Sequence, residues 1–249
     1  MNRSPRLGSS RSFYEMKAAL YANACSQVVL RQVLRHLPLD GRVLDIGCGS
    51  GHLLGRLSGH AGYRAGVELS TVAAKSANRH ADEVVMASIE DELPFAPDSF
   101  DVVVCADILE HLADPASGLD TAARLCRPGG VVIISVPNVA NWEARLRLLR
   151  GVWRYEATGL FDSGHLRFLT QATLLAMVRE CGLVIDSCLP EVCPSLTSQS
   201  ALLARLPRLG RVAVNRTWAV LGDWLARGRP TLFAYQLVCT ARRPVYLTS

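Results

Sequence analysis

Three glycines at alternate positions follow a short apolar run in the segment VLDIGCGSGHLL, residues 43–54. They are Gly47, Gly49 and Gly51, and Asp45 lies in the apolar run just before them. Because glycine reaches positive φ and carries no Cβ, this spacing predicts a strand, a turn whose backbone a ligand can approach, and then a helix. The alternative is an ordinary strand–turn–helix connection without a ligand.

Strand patterns and helix patterns alternate along the chain after residue 40. The expected strands cover residues 42–47, 63–70, 83–88, 100–107, 131–138, 183–189 and 231–243. Continuous valine and isoleucine runs in the first, fourth and fifth of these are typical of parallel strands covered on both faces. The pattern predicts an α/β fold, a Rossmann-like doubly wound sheet of seven strands.

The organisation of the rest of the chain follows from composition. Residues 1–14 are basic and serine-rich and predict a flexible tail, whereas residues 15–249 are expected to form one domain that begins with a helix over 15–37. Substrate-side insertions are expected at about 139–169 and 190–230. The RPGG stretch at 127–130 predicts a tight turn.

Charge and cysteine content exclude several classes of protein. The net charge is +5, and nearly all of the basic residues are arginines. An excess of arginine alone does not indicate a nucleic-acid partner. Eight cysteines are scattered without a CxxC pair, so we expect reduced thiols, no metal site and a cytoplasmic location. The N-terminus carries no apolar signal region, and no stretch reaches the roughly 20 apolar residues of a membrane span.

The spacing of the glycines distinguishes between two cofactors. Dinucleotide sites use G-x-G-x-x-G, whereas this chain has G-x-G-x-G directly after Asp45. A carboxylate there would repel a pyrophosphate and would suit a ligand with an ammonium and a sulfonium group. Glu68 ends the second expected strand, where an acid can accept hydrogen bonds from two ribose hydroxyls. These features predict a site for S-adenosylmethionine (SAM).

Four segments then resemble the class I SAM-dependent methyltransferases in order and spacing, over roughly residues 40–138. They are VLDIGCGSG, GVELS, SIEDELPFAPDSFDVVVCADILEHL and LCRPGGVVIISVPN. The resemblance implies SAM as cofactor and S-adenosylhomocysteine as product. It places the methionine part at the glycine turn and at Asp107, the ribose at Glu68, and the adenine beside Leu69, Ser88 and Ile89. The implied cofactor-binding residues are Asp45, Gly47, Cys48, Gly49, Gly51, Glu68, Leu69, Ser88, Ile89 and Asp107.

The segment WRYEATGLFDSGHLRFLTQATLLAMVRECG carries a second resemblance. It is similar to bacterial methyltransferases found near glycosyltransferase genes, although Ser163 and Gly164 replace the commoner Arg-Thr before the histidine. This resemblance implies a small-molecule acceptor, with O-methylation of a sugar, glycoside or secondary metabolite. The ubiquinone-type O-methyltransferases share the core and match less well outside it.

Three histidines are candidates for a role at the site. His165 lies in the polar loop FDSGHLRFLT, and His111 follows the fourth strand; we expect either to take a hydroxyl proton, since histidine titrates near neutral pH. A structural role for each remains the alternative. His52 begins the helix after the glycine turn and is expected either to pack there or to touch the cofactor.

Other functions are weighed against O-methylation. A nucleic-acid methyltransferase would need a base-gripping signature such as NPPY after the fourth strand, where this chain has ADIL, so no nucleic-acid partner is expected. A SAM-binding but non-catalytic partner of a biosynthetic enzyme remains an alternative. Metal-dependent catechol-type transfer is disfavoured, because no Asp…Asp-Asn ligand set follows the fourth and fifth strands.

Residues 201–229 interleave arginine with leucine and tryptophan. Such a segment suits contact with an anionic membrane or a lipid-linked substrate, or packing as a lid or homodimer surface.

Overall fold

A computed structural model describes Glu15, residues 26–192 and residues 207–245. The expected tail at 1–14 and most of the first half of the expected helix over 15–37 lie outside these residues. The expected continuous helix over 15–37 is wrong, because Ser26 has an extended backbone (φ −61°, ψ 126°) and caps a helix that begins only at Gln27. The Ser26 hydroxyl accepts a hydrogen bond from the Val29 backbone N–H. This helix ends at His36, two residues before Pro38, which cannot continue a helix.

The described strands form one seven-stranded sheet in the order β3-β2-β1-β4-β5-β7-β6. Neighbours from β3 to β5 pair in parallel, and β7 pairs antiparallel with both β5 and β6. The predicted doubly wound α/β fold is confirmed. The strands are β1 (Arg42–Ile46), β2 (Tyr63–Val67), β3 (Glu83–Val85), β4 (Phe100–Ala106), β5 (Cys126–Pro137), β6 (Val184–Glu191) and β7 (Gln236–Arg242).

Helices cover both faces of the sheet. They are α1 (Gln27–His36), α2 (His52–Arg56), α3 (Thr71–Ala77), α4 (Pro115–Leu125), α5 (Trp142–Leu149), α6 (Gln171–Glu180), α7 (Arg208–Gly228) and α8 (Pro230–Phe233). A 3-10 turn, Leu109–His111, follows β4.

Alternate strand residues belong to different apolar cores, as the period of two in a strand requires. Val43 and Val102 pack with α1 and α2, whereas Leu44 and Val103 pack with α4 and α6 on the opposite face. The Val and Ile runs of the sequence are therefore explained by burial on both faces.

Several expected strand boundaries are wrong. The last strand, expected over 231–243, begins at Gln236, because Pro230–Phe233 form helix α8 with proline at its first position. Strand β3 ends at Val85, where its partner β2 also ends, so that residues 86–88 leave the sheet. The RPGG stretch lies within β5 as a bulge: Phe100 pairs with Cys126, but Val102 pairs with Val131. Gly129, at φ 76°, lets its backbone N–H donate to the Arg243 carbonyl within this bulge.

The insertions after β5 and β6 pack beside the sheet. Leu160 and Phe161 form a small core with Ala144, Trp153 and Tyr235. Helix α7 contacts β6, while Leu209, Val220 and Trp224 on it are exposed. None of the described helices is both long and apolar enough to cross a bilayer. Contact of 201–229 with a membrane or a second copy stays a prediction.

The two glycines Gly51 and Gly59 give a matched test of the strand–turn–helix geometry. Both have positive φ, but a Cβ on Gly51 would lie 2.8 Å from the Ala77 Cα, whereas one on Gly59 would meet nothing within 4 Å. We expect Gly59→Ala to lower the free energy of unfolding by roughly 1–2 kcal/mol and Gly51→Ala by roughly 2–5 kcal/mol. Urea denaturation measures both, and equal losses would show that the contact with α3 is unimportant.

Candidate functional site

A cavity of about 1040 Å³ opens at the carboxyl edge of the parallel strands. The residues that follow β1, β2 and β4 line it, together with the loop before α6 and the start of β7. Ligands of α/β sheets bind at this edge, at the point where the strand order reverses. The volume lies at the upper end of the range typical of small-molecule pockets.

The glycine turn forms one wall of the cavity. Gly47, Gly49 and Gly51 have φ values of 76°, 52° and 81°, so each needs the conformational freedom that glycine provides. A Cβ at Gly49 would meet no described atom within 4 Å and would point into open space. Gly47 and Cys48 also line the cavity, as expected.

Gly51 is a correction to the expected cofactor set. It does not line the cavity, and a Cβ there would lie within 3.1 Å of both the Cα and the Cβ of Ala77 in α3. Its role is to let α2 start close to α3. Sequence spacing could not separate this packing role from ligand contact.

Asp45 is buried beneath the turn, with 4% of its surface exposed. Among the described residues no donor forms a hydrogen bond with its carboxylate. Burial, and then the nearby charge of Glu68, raise the pKa of Asp45 to about 7. A buried carboxylate without a donor is costly, and a cationic ligand would stabilise its charged form.

Glu68 connects β2 to the glycine turn. Its Oε2 accepts a hydrogen bond from the Gly49 backbone N–H at 2.9 Å, and its Oε1 accepts one from the Ser70 N–H at 2.7 Å. Burial raises the pKa of Glu68, although these backbone bonds act in the opposite direction. Each oxygen keeps a second lone pair for a ligand hydroxyl. Leu69, Ser88 and Ile89 line the same end of the cavity.

Asp107 lies across the cavity, after β4, with a φ of 54° that is unusual for a residue other than glycine. Its Oδ1 accepts hydrogen bonds from Gln236 Nε2 at 2.8 Å and from Ser135 Oγ at 3.2 Å. Burial raises the pKa of Asp107 to about 6. The sequence did not indicate Gln236, because β7 reaches this site only through the antiparallel pairing at the end of the chain.

His111 and His165 both line the cavity, with ring centroids 4.9 Å apart. The Leu166 and Arg167 backbone N–H groups donate to the Glu110 carbonyl, at 2.8 and 3.0 Å. These bonds hold the loop that carries His165 against the 3-10 turn. His52 also lines the cavity, on the side of the glycine turn.

Glu110 is the functional candidate that the sequence analysis missed. It is 2% exposed, lines the cavity beside both histidines, and burial raises the pKa of its carboxyl well above the usual range. Its position next to His111 in the LEH stretch was visible, but nothing in the sequence distinguished a buried acid from one in solvent.

The residues present fit SAM on structural grounds. The fit rests on three features: the open space at Gly49, the acceptor oxygens of Glu68, and the carboxylates of Asp45, which is buried, and of Asp107, which lies on the cavity wall. Desolvation disfavours the charged form of these carboxyl groups, and a bound cation would offset that cost. A cationic ligand with hydroxyl groups therefore suits this site better than a phosphate does.

The comparisons with known proteins agree with this geometry. The sequence profile of the family described as "Methyltransferase domain" matches residues 16–187. A ubiquinone biosynthesis O-methyltransferase of Thiobacillus denitrificans is 38% identical over 164 residues, which are 62% of this chain and 69% of that protein.

Solved structures support the fold. A chain of the complex between the Haloferax volcanii Trm112 methyltransferase activator and a methyltransferase aligns with a TM-score of 0.65 at 20% identity, over 97% of this chain and 100% of that one. A SAM-dependent methyltransferase of Archaeoglobus fulgidus aligns with a TM-score of 0.60 at 20% identity. The alignment covers 92% of this chain and 99% of that one.

Family and fold together imply SAM as the cofactor. Since the family profile spans most of the sequence and the sheet is that of the class I enzymes, this chain belongs to the methyltransferase-domain family and is a class I SAM-dependent methyltransferase.

Proposed function

We propose that the protein is a small-molecule O-methyltransferase that binds SAM over the glycine turn and an acceptor hydroxyl beside Glu110, His111 and His165. The observation that carries the proposal is that one cavity is lined both by Gly49 and Glu68 and by these three residues. Donor and acceptor ends are thus continuous, which an in-line methyl transfer requires.

The donor end would hold SAM by charge and by hydroxyl contacts. Bound SAM supplies a methyl group that is already activated by the positive sulfur. Asp45 and Asp107 provide the negative charges that favour this cation, and the Glu68 oxygens face the ribose hydroxyls. Leu69 and Ile89 provide apolar contact for the adenine, with Ser88 at its edge.

The acceptor end would position a hydroxyl and take up its proton. His165 is 7% exposed, so a group bound next to it would be largely removed from water. A histidine in hydrogen-bond reach of the hydroxyl can act as general base, and His111 is the second candidate. The catalytic roles of both histidines are part of the proposal.

Two observations support a small-molecule acceptor: the names of the relatives, and the similarity of the segment around His165 to bacterial methyltransferases found near glycosyltransferase genes. Relatives that act in ubiquinone biosynthesis carry the name O-methyltransferase, which supports a hydroxyl of a small molecule. The resemblance of residues 153–182 supports a sugar, glycoside or secondary metabolite as the acceptor.

Methyl transfer from radiolabelled SAM tests the proposed function. We expect a labelled methyl ether with a member of one of two acceptor panels, dihydroxylated aromatic compounds or glycosides. Mass spectrometry of the product identifies the methylated oxygen. Labelling of RNA, DNA or protein without any small-molecule product would contradict the proposal, and so would SAM binding without transfer to any acceptor class.

The pH dependence of SAM binding tests the role of Asp45. Its pKa of about 7 in the free protein should fall when a cation binds, so affinity should rise as pH increases toward 7, by up to about tenfold per unit, and level off above it. Isothermal titration calorimetry in buffers of different ionisation enthalpy measures the proton release. Asp45→Asn should weaken binding and reduce this slope; an unchanged slope would assign the dependence to other groups.

Replacement of Glu68 tests the ribose contact. Glu68→Ala should weaken S-adenosylhomocysteine binding by roughly 1–2 kcal/mol, since charge-assisted hydrogen bonds are lost. Glu83→Ala, at the exposed start of β3, is the matched control and should bind normally. Equal affinities of the Glu68 variant and the wild type, measured by calorimetry, would contradict the assigned contact.

A further inference from the structure

The Glu110 carboxylate has an unusual environment. Both of its oxygens are buried, and neither has a hydrogen-bond partner among the residues that the structure describes. An ionised carboxylate in this situation costs several kcal/mol, and native structures satisfy most buried polar atoms. Protonation of the carboxyl group removes this cost, and so does a cation bound at the carboxylate.

Two histidines, which are common metal ligands, lie near this carboxylate. One ligand atom each from Glu110, His111 and His165 lies within 4.8 Å of the others. The His165 Nε2 is 3.9 Å from Glu110 Oε1, too far for a hydrogen bond. Ligand atoms at about 2.1 Å from a shared ion lie up to roughly 4.2 Å apart, so a small inward movement of the side chains completes a site.

The histidine orientation also fits metal binding. His111 Nδ1 lies 2.9 Å from the Gly164 carbonyl oxygen, which can only accept, so Nδ1 carries the proton and donates. The lone pair of the ring is then on Nε2. Metal-binding histidines commonly donate their other N–H to a backbone carbonyl, which fixes the ring orientation.

The protein backbone holds the three residues in place. Glu110 and His111 are neighbours on the 3-10 turn after β4, and the loop with His165 is fastened to the same turn by two hydrogen bonds to the Glu110 carbonyl. All three residues line the cavity, so a bound ion would keep coordination positions open toward an acceptor.

We propose that Glu110, His111 and His165 bind a divalent first-row transition-metal ion with coordination positions open to the cavity. Two imidazoles and one carboxylate form a donor set that Zn²⁺ and related ions prefer over Mg²⁺. The proposal departs from the sequence-based expectation of no metal site.

The inference deepens the proposed function and rests on it for the role of the ion. An ion at this position would bind the acceptor hydroxyl and lower its pKa, so that its proton leaves to water. The oxygen would then form a bond to the methyl carbon as the bond between that carbon and the SAM sulfur breaks, and S-adenosylhomocysteine would be the leaving group. The two histidines then serve as ligands instead of general bases.

Zn²⁺ binding to the purified full-length chain tests the inference without an activity assay. After dialysis against a chelator, calorimetric titration should give one Zn²⁺ per chain for the wild type. Glu110→Gln and His165→Ala should each lower the affinity by at least about 10- to 100-fold. His52→Ala, a histidine on the cavity wall outside the cluster, should bind Zn²⁺ as the wild type does.

Three results would overturn the inference: no Zn²⁺ bound by the wild type, equal affinity in the Glu110 and His165 variants, or tighter binding of Mg²⁺ than of Zn²⁺. S-adenosylhomocysteine binding and circular dichroism on the same samples show whether each variant is folded. A protein that binds S-adenosylhomocysteine but not Zn²⁺ leaves the proposed function intact, whereas one that binds neither contradicts both.

Discussion

The parallel pairing of β1 with β2 and β4 is the constraint on which the site depends. Ile46 is in register with Val67 on one side and with Cys105 on the other. The residues that come next in each strand therefore emerge at one edge of the sheet. This register places the glycine turn, Glu68 and Asp107 around one cavity, although they are far apart in the sequence.

That edge gathers three acids whose charged forms are disfavoured. Asp45 and Glu110 are buried, whereas Asp107 is exposed on the cavity wall, and desolvation is the leading cause of the raised pKa of all three. Folding would be less costly with apolar residues at these positions, since each charge loses its hydration. Such an arrangement is typical of binding sites, where a ligand of opposite charge offsets the cost.

The two ends of the cavity differ in how they are stabilised. At the donor end Glu68 accepts backbone N–H bonds from Gly49 and Ser70, so the turn and the acid hold each other in place. At the acceptor end, backbone bonds hold the Glu110 carbonyl and the His165 loop together, but the Glu110 carboxylate accepts no hydrogen bond from the described part of the chain. The first arrangement is complete without a ligand, and the second is not.

The sequence by itself determined the sheet and the donor end. Apolar runs, the glycine spacing and the positions of Asp45 and Glu68 depend on local backbone geometry and on strand burial, which a linear pattern records. Tertiary structure alone decided that Gly51 packs against Ala77 and that Gln236 reaches Asp107. It also decided that Glu110 is buried between two histidines from separate segments. These features arise from contacts between residues distant in the chain, for which neither spacing nor composition carries a signal.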